Sequence, residues 1–425
     1  MTDQKTQQMP TEWEKNNLGE MAKINPTESL PKGTLSKYVA MENLEPFSRK
    51  IRKYELKEFN GGMKFRNGDT LFARITPCLE NGKTAYVDIL DEDEVGFGST
   101  EYIVIREKNQ VSDSKFLYYF AMSSYFRDIA IKSMTGTSGR QRVQTNSLIG
   151  NTFLFPSFPE QQAIASVLSA FDDKIELLRE QNKTLEAIAQ TLFKRWFVEF
   201  NFPDENGQPY RDSGGKMIDS ELGEIPEGWR VGRLGDYIEI RGGSTPSTSN
   251  PDFWNGDINW TSPKDLSNSN EAFLLNTEKR ITEEGLNQIS SGLLSKHTLL
   301  LSSRAPIGYL AIAAIETAIN QGYIAFLPNA YLSNYFMYLW LGRNMNIVES
   351  SANGSTFLEI SKSSFRNIES VIPKEKTLRQ FDLVAEPDFS KILFNLSQIQ
   401  TLSQLRDALL PKLMRGEVRV KGFCG

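Results

Sequence analysis

At 425 residues the chain is too long for one ordinary domain and suits two or three. Its 39% hydrophobic and 24% charged content, with no apolar run near the length of a bilayer span, describe a globular chain without a membrane helix. The net charge of −5 argues against a uniformly basic surface, two cysteines (Cys78 and Cys424) against a disulfide framework, and the single histidine, His297, against a multi-histidine metal site.

In chain order, the polar start MTDQKTQQMPTEWEKNN is no signal peptide and, with so few cysteines, suggests a reducing cytoplasm. Within it, Pro10, Trp13, Leu18 and Gly19 form a spaced motif. Between Glu45 and Ala85 lie nine bases (Arg49, Lys50, Arg52, Lys53, Lys57, Lys64, Arg66, Arg74, Lys83) and five acids (Glu45, Glu55, Glu58, Asp69, Glu80). That excess reads equally as a solvated surface or as part of a nucleic-acid footprint. DTLFARI, TAYVDIL and EYIVIRE alternate as strands between Gly, Asn and Asp turns, and SKFLYYFAMSSYF is an aromatic-rich helix. Next comes TGTSGRQRVQTNS, a glycine-rich loop presenting Arg140, Gln141 and Arg142. Arginine reads guanine edges in bidentate fashion, and glutamine reads adenine.

From Pro156 the pattern changes period. Ile164, Leu168, Phe171, Ile175, Leu178, Leu185, Ala189, Leu192 and Trp196 alternate spacings of four and three, with Asn182 in the one polar slot. This is a coiled-coil seam on a helix of about 40 residues, roughly 60 Å long. Pro203 stops it, and NFPDENGQPYRDSGGKMIDSELGEIPEG reads as a connector.

The motif then recurs. Pro226, Trp229, Leu234 and Gly235 repeat Pro10, Trp13, Leu18 and Gly19, 216 positions on. At a shift of 217, Ser138 meets Ser355, Val143 meets Ile360, Lys174-Ile175 meets Lys391-Ile392, and Leu192-Phe193 meets Leu409-Leu410. TLLLSS, YLAIAAI and GYIAFLP supply the strands of this second copy, and LSNYFMYLWLGR its aromatic helix. The second seam holds Ile392, Ile399, Leu402, Leu409 and Leu413, with Leu396 one position off; Pro387 places the start of this helix near Asp388. The period is too long for a solenoid, so it marks tandem duplication of a whole domain and its helix. The fold class is α+β, with the two helices packed as an antiparallel coiled coil. The boundaries are 1–155 for the first globular domain, 156–200 for its helix, 201–225 for the linker, 226–372 for the second globular domain and 373–425 for its helix.

Candidate contacts in the second copy are Arg241, Ser244 and Thr245 in IRGGSTPSTSN, with Lys264 and Arg304 in similar polar loops, and Ser355, Thr356 and Lys362 at the counterpart of the Arg140 loop. His297 reads as structural. PCLENGKT has proline where a phosphate-binding loop needs its first glycine. NPDFW is similar to an amino-methyltransferase signature, but Asp252 stands in place of the second proline and no glycine-rich cofactor loop accompanies it.

FPSFPEQQAIASVLSAFDDKIELLREQNKTLEAIAQTLFKRWF between two globular domains, with LSQIQTLSQLRDALLPKLMRGEVRV after the second, resembles the specificity subunit of a Type I restriction–modification enzyme. IPEGWRVGRLGDYIEIRGGSTPS and SSRAPIGYLAIA resemble its target-recognition domains. IPKEKTLRQ departs from the pattern, lacking the Glu-Gln of FPEQQ. The resemblance implies a non-catalytic DNA-recognition subunit, each globular domain reading one half of a bipartite target. The helices would fix the spacing and dock two methyltransferase subunits, with restriction (motor and nuclease) subunits joining through the complex. Double-stranded DNA is then the ligand and no membrane is involved. No cofactor is expected in this chain; S-adenosylmethionine, ATP and Mg2+ belong to the partner subunits. Because the two domains differ in sequence, the target should be asymmetric. Service in a modification-only complex is the first alternative, and a self-contained methyltransferase a more distant one.

Overall fold

The computed structural model describes residues 13–137, 139–267, 271–354, 358–420 and 422. Two compact units emerge, Met1–Glu176 with Gln400–Gly425, and Leu177–Ile399. The first long helix, Phe158–Phe197, and the second, Glu375–Met414, each contribute one segment to each unit.

The repeated Trp…Leu-Gly motif has a structural cause. Glu14–Asn17 pairs antiparallel with Thr152–Phe155, and Arg230–Arg233 with Glu369–Ile372, so each domain is closed where the chain enters and leaves it. The next residue, Leu18 or Leu234, is fully buried and donates its N–H to the carbonyl of Asn151 or Ile368. Gly19 and Gly235 then pass so close to Ile149 and Arg366 that a Cβ would lie 2.8 Å and 2.5 Å from those side chains. Asn151 and Ile368, like Ile149 and Arg366, are 217 residues apart. The duplication therefore preserves a packing arrangement as well as a sequence.

In the first unit, the sheet Ala22–Ile24, Tyr102–Glu107, Thr70–Ala73, Thr84–Tyr86 is antiparallel throughout. A second sheet runs Glu55–Glu58, Leu35–Val39, Gly96–Gly98, Met63–Phe65. Helices Ser114–Met122 and Ser124–Lys132 cover the first sheet with Phe116, Phe120 and Phe126, and Ile164, Leu168, Leu410 and Leu413 complete that core. In the second unit, a five-stranded sheet runs Ile240–Arg241, Tyr323–Phe326, Leu299–Ser303, Ile307–Ala313, Phe273–Leu274. Beside it lies the three-stranded sheet Lys279–Ile281, Trp254–Thr261, Ala318–Ile319. Helix Asn334–Ser350 buries Phe336, Met337, Leu339 and Trp340. His297 takes a positive φ of 66° and its carbonyl accepts from Asn334 Nδ2.

The long helices meet antiparallel within each unit. In the first, the buried Asp172 accepts from Arg406 at 2.6 Å and from the Tyr119 hydroxyl at 2.5 Å. In the second, Asn395 donates to Asn182 at 2.8 Å, and Phe381 packs against Phe193, Trp196 and Phe197. Ile164, Leu168, Ile175, Leu178, Trp196, Ile392, Ile399 and Leu413 are buried as the seam requires, whereas Phe171, Leu185, Leu192, Leu402 and Leu409 are half-buried.

One sequence expectation needs correction. The second helix starts at Glu375, not near Asp388, and runs through Pro387. Proline removes one N–H and crowds the carbonyl four residues earlier, that of Leu383. Both residues face solvent, Leu383 being 75% exposed, while Leu378, Phe381, Ala385 and Phe389 are buried on the opposite side and hold the helix. On the second helix, polar residues beside the apolar seam positions are buried too: Asn395 fully, one place before Leu396, and Arg406. The connector is held by local contacts. Phe202 stacks on Trp229 at 5.0 Å between centroids, and Met217–Ile218 pairs with Ile225–Pro226.

After the second helix the chain returns to the first unit. Arg419 donates to the buried Glu160 at 2.8 and 2.9 Å, and Glu160 also accepts from Trp13 Nε1. Removing one partner of a buried ion pair strands the other charge, at a cost of about 3–5 kcal/mol. Arg419→Ala should destabilise the first unit by that order in urea unfolding. Pairing Arg419→Met with Glu160→Gln, which keeps an acceptor for Trp13, should recover most of the loss.

Candidate nucleic-acid interface

In the first unit, the strand Thr70–Ala73 leads into Arg74, Ile75, Thr76 and Pro77. The glycine-rich loop folds back onto this segment. Thr76 donates its N–H to the Gln141 carbonyl at 3.0 Å, and Val143 N–H reaches the Arg74 carbonyl at 2.8 Å. Gly136 has a φ of 129°, and a Cβ there would lie 2.9 Å from the Arg140 carbonyl, so the tight return requires glycine. The loop leaves Arg140 exposed.

Arg142 differs from Arg140. Its Nε and Nη2 donate to both carboxylate oxygens of Glu101 at 2.7–3.0 Å, and Arg74 approaches the same carboxylate at 3.6 Å. Those hydrogen bonds hold the Glu101 carboxyl below its usual range. Two cations share one anion, so the loop edge keeps a positive excess. Glu101 presents Arg142 with two acceptors, as a guanine edge would.

The second unit builds the corresponding junction from different residues. Leu299–Ser303 runs into Arg304, which forms a β-bridge with Glu359, the counterpart of Arg142 at the 217 shift. Ile360 N–H reaches the Ser303 carbonyl at 3.0 Å, as Val143 N–H reaches Arg74 in the first unit. Arg304 and Glu359 also pair through their side chains at 3.4 Å. The scaffold is therefore shared while the charge differs: two arginines and a glutamate in one copy, one of each in the other.

A second group surrounds the loop after Ile240–Arg241. A Cβ at Gly243 would lie 1.8 Å from the Ile319 carbonyl, so only glycine fits. Ser244 is structural: its hydroxyl donates to the Gln288 carbonyl and accepts from Ser290 N–H, and its carbonyl accepts from Trp260 Nε1. Thr245 donates to Gln321 at 2.7 Å, and Arg241 pairs with Glu239 at 3.0 Å. Lys362, at the start of helix Lys362–Arg366, packs over Gly242, the chain neighbour of Arg241. Lys264 stands in helix Pro263–Ser267, not in the polar loop expected from sequence, and pairs with Glu278 at 2.8 Å. Ser355 and Thr356 lie outside the described residues.

Sequence reasoning missed Glu101 as the partner of Arg142. It also missed Lys279 and Arg280, exposed on Lys279–Ile281. Lys279 lies over the Trp254 ring at 5.4 Å, and the indole N–H of Trp254 donates to the Ser247 carbonyl. A basic pair beside tryptophan at a loop rich in serine was legible as a signal, but only pairing with Trp254–Thr261 places it there.

A family model described as the Type I restriction modification DNA specificity domain matches twice, at residues 10–187 and 226–404. The Type I restriction enzyme MjaIX specificity subunit of Methanocaldococcus jannaschii is 32% identical over 318 residues, spanning 72% of this chain and 70% of its own. The HindI specificity subunit of Haemophilus influenzae is 27% identical over 421 residues, spanning 85% and 90%. The crystal structure of a Type-I restriction-modification system S subunit from M. genitalium aligns with a TM-score of 0.56 at 17% identity, over 97% of this chain and 99% of that one, which is a likeness of fold.

Arg140→Ala should weaken binding to one half of a DNA target by about 1–3 kcal/mol and relax base choice in that half alone. A phosphate contact would instead weaken all sequences evenly and lower the salt slope by about one. Binding titrations on matched and mismatched duplexes at several salt concentrations separate the two, and no change in either returns Arg140 to plain surface.

Proposed function

The chain belongs to the family of Type I restriction modification DNA specificity domains, and from that premise we propose that it is the non-catalytic DNA-recognition subunit of a methyltransferase complex. Each globular domain reads one half of a bipartite, asymmetric double-stranded target. The paired helices set the gap between the halves and dock two methyltransferase subunits. S-adenosylmethionine is bound by those subunits, and ATP with Mg2+ by restriction subunits that join through them. Base reading is assigned to the loops around Arg140 and Arg142 in the first domain and around Arg241, Lys362 and Arg304 in the second.

The observation that carries this reading is a shared scaffold with divergent contacts. The same strand pair closes both domains and the same two loops meet beyond the central strand, yet Arg142 in one is Glu359 in the other. A pair of reading heads on one frame needs constancy in the frame and difference at the edge. Two docking faces are supported by the outer surfaces of the helices. Leu177 and Phe394 are equivalent positions, 51% and 54% exposed, and so are Ile188 and Leu405, at 50% and 48%. Large apolar side chains held in water at matched places suit two copies of one partner.

Purified alone, the chain should transfer no methyl group from S-adenosylmethionine to DNA. With methyltransferase subunits added, sequencing of the methylated DNA should show a split asymmetric site. Replacing residues 226–372 by the same segment of a relative should change one half of that site and leave the other intact. Methyl transfer by the chain alone, or a change in both halves, would overturn the proposal.

A further inference from the structure

The two seams are built from duplicated sequence, which creates a hazard of self-recognition. If each helix simply repeated the other, it would pair equally well with its own counterpart in a second copy of the chain. The polar residues of the seams break that equivalence.

Asn395 is fully buried and donates to Asn182 Oδ1 at 2.8 Å, with Gln181 Oε1 at 3.4 Å. At the 217 shift, however, Asn182 corresponds to Ile399 and Asn395 to Leu178. The same holds for the buried ion pair. Asp172 and Arg406, with side chains 4% and 9% exposed, meet at 2.6 Å, but Asp172 corresponds to Phe389 and Arg406 to Ala189. Each polar residue faces a polar partner from the other helix, while its own repeat equivalent is apolar.

In an antiparallel pair of two copies of the first helix, Asn182 would face Leu178 and Asp172 would face Ala189. In a pair of two copies of the second, Asn395 would face Ile399 and Arg406 would face Phe389. All four polar groups would lose their partners inside a seam, where an unpaired amide or charge is strongly disfavoured. The chain ends act in the same sense: Arg419 seats on Glu160 beside Trp13, whereas its equivalent, Phe202, stacks on Trp229.

We propose that Asn182–Asn395 and Asp172–Arg406 are pairing determinants, which make the seam of each long helix accept the other helix of this chain and reject an identical helix from a second copy. The effect on target choice rests on reading the globular domains as DNA-recognition heads: pairs of like helices would carry two identical heads and address a symmetrical site. The pairing itself does not depend on that reading.

A protease site in the exposed stretch Arg211–Gly214 allows the folded full chain to be cut between its two repeats. After incubation long enough for halves to exchange, native mass spectrometry counts pairs of unlike halves against pairs of like halves. The uncut sequence should give unlike pairs at least about a hundredfold above random mixing. Asn182→Ile with Asn395→Leu, which gives each position the residue of its repeat equivalent, should reduce that preference at least about tenfold, the cost of one unpaired buried amide. Asp172→Leu with Arg406→Met should reduce it independently. Random mixing in the parent protein overturns the proposal whether or not the variants fold, and so does a preference unchanged in both variants. Failure of the DNA-reading proposal would appear in methylation patterns and leave this ratio untouched.

Discussion

Neither long helix can bury its apolar stripe alone. A helix of 40 residues standing as a single rod leaves its apolar seam in water, and most of its helical stability comes from packing that face on a partner. Duplication supplies that partner within one chain. The strand pair that closes each domain runs directly into its helix, with only Pro156 and Ser157, or Pro373 and Lys374, between. Whatever orients the helices therefore orients the strands that frame the loops.

The two units solve the docking of a domain onto helix segments with different chemistry. In the first, Tyr119 donates to Asp172, Arg49 pairs with Asp173, and Arg52 reaches Glu176 at 2.5 Å. Much of the basic excess between Glu45 and Ala85 is thus spent on the protein's own acids: Lys50 pairs with Asp88, and Arg66 with Glu28. In the second unit the place of Asp172 is taken by Phe389, which stacks with Tyr335 at 4.7 Å and meets Tyr338 and Phe273 edge-on. Aromatic packing is tolerant of direction, whereas a buried carboxylate accepts only well-placed donors.

Parts of this frame were legible in the sequence because they repeat or have a period. Trp13 and Trp229, Leu18 and Leu234, and the seam from Ile164 to Trp196 all announce themselves by spacing. The start of the second helix was not legible, because proline is read as a break unless one knows that Pro387 faces solvent and that Phe381 and Phe389 anchor the turns around it. Asn395 was missed since a search for apolar spacing settles on Leu396 next to it, and its partner lies 213 residues away. The loops were the least legible. Nothing local to Arg142 reveals Glu101, and Ser244 looks like a surface contact until its bonds to Gln288 and Ser290 show it holding the loop together.

On the proposed function, the paired helices act as a ruler between two reading heads. Inserting four residues after Leu178 and four after Asn395, equivalent positions of the two repeats, lengthens both helices by about one turn, roughly 6 Å, and keeps the segments on either side paired as before. That is close to two base pairs at about 3.4 Å each. Methylome sequencing of a strain carrying the double insertion should show both half-sites unchanged and the unspecified gap one or two pairs longer. An unchanged gap, or altered half-sites, would show that the helices do not set the spacing.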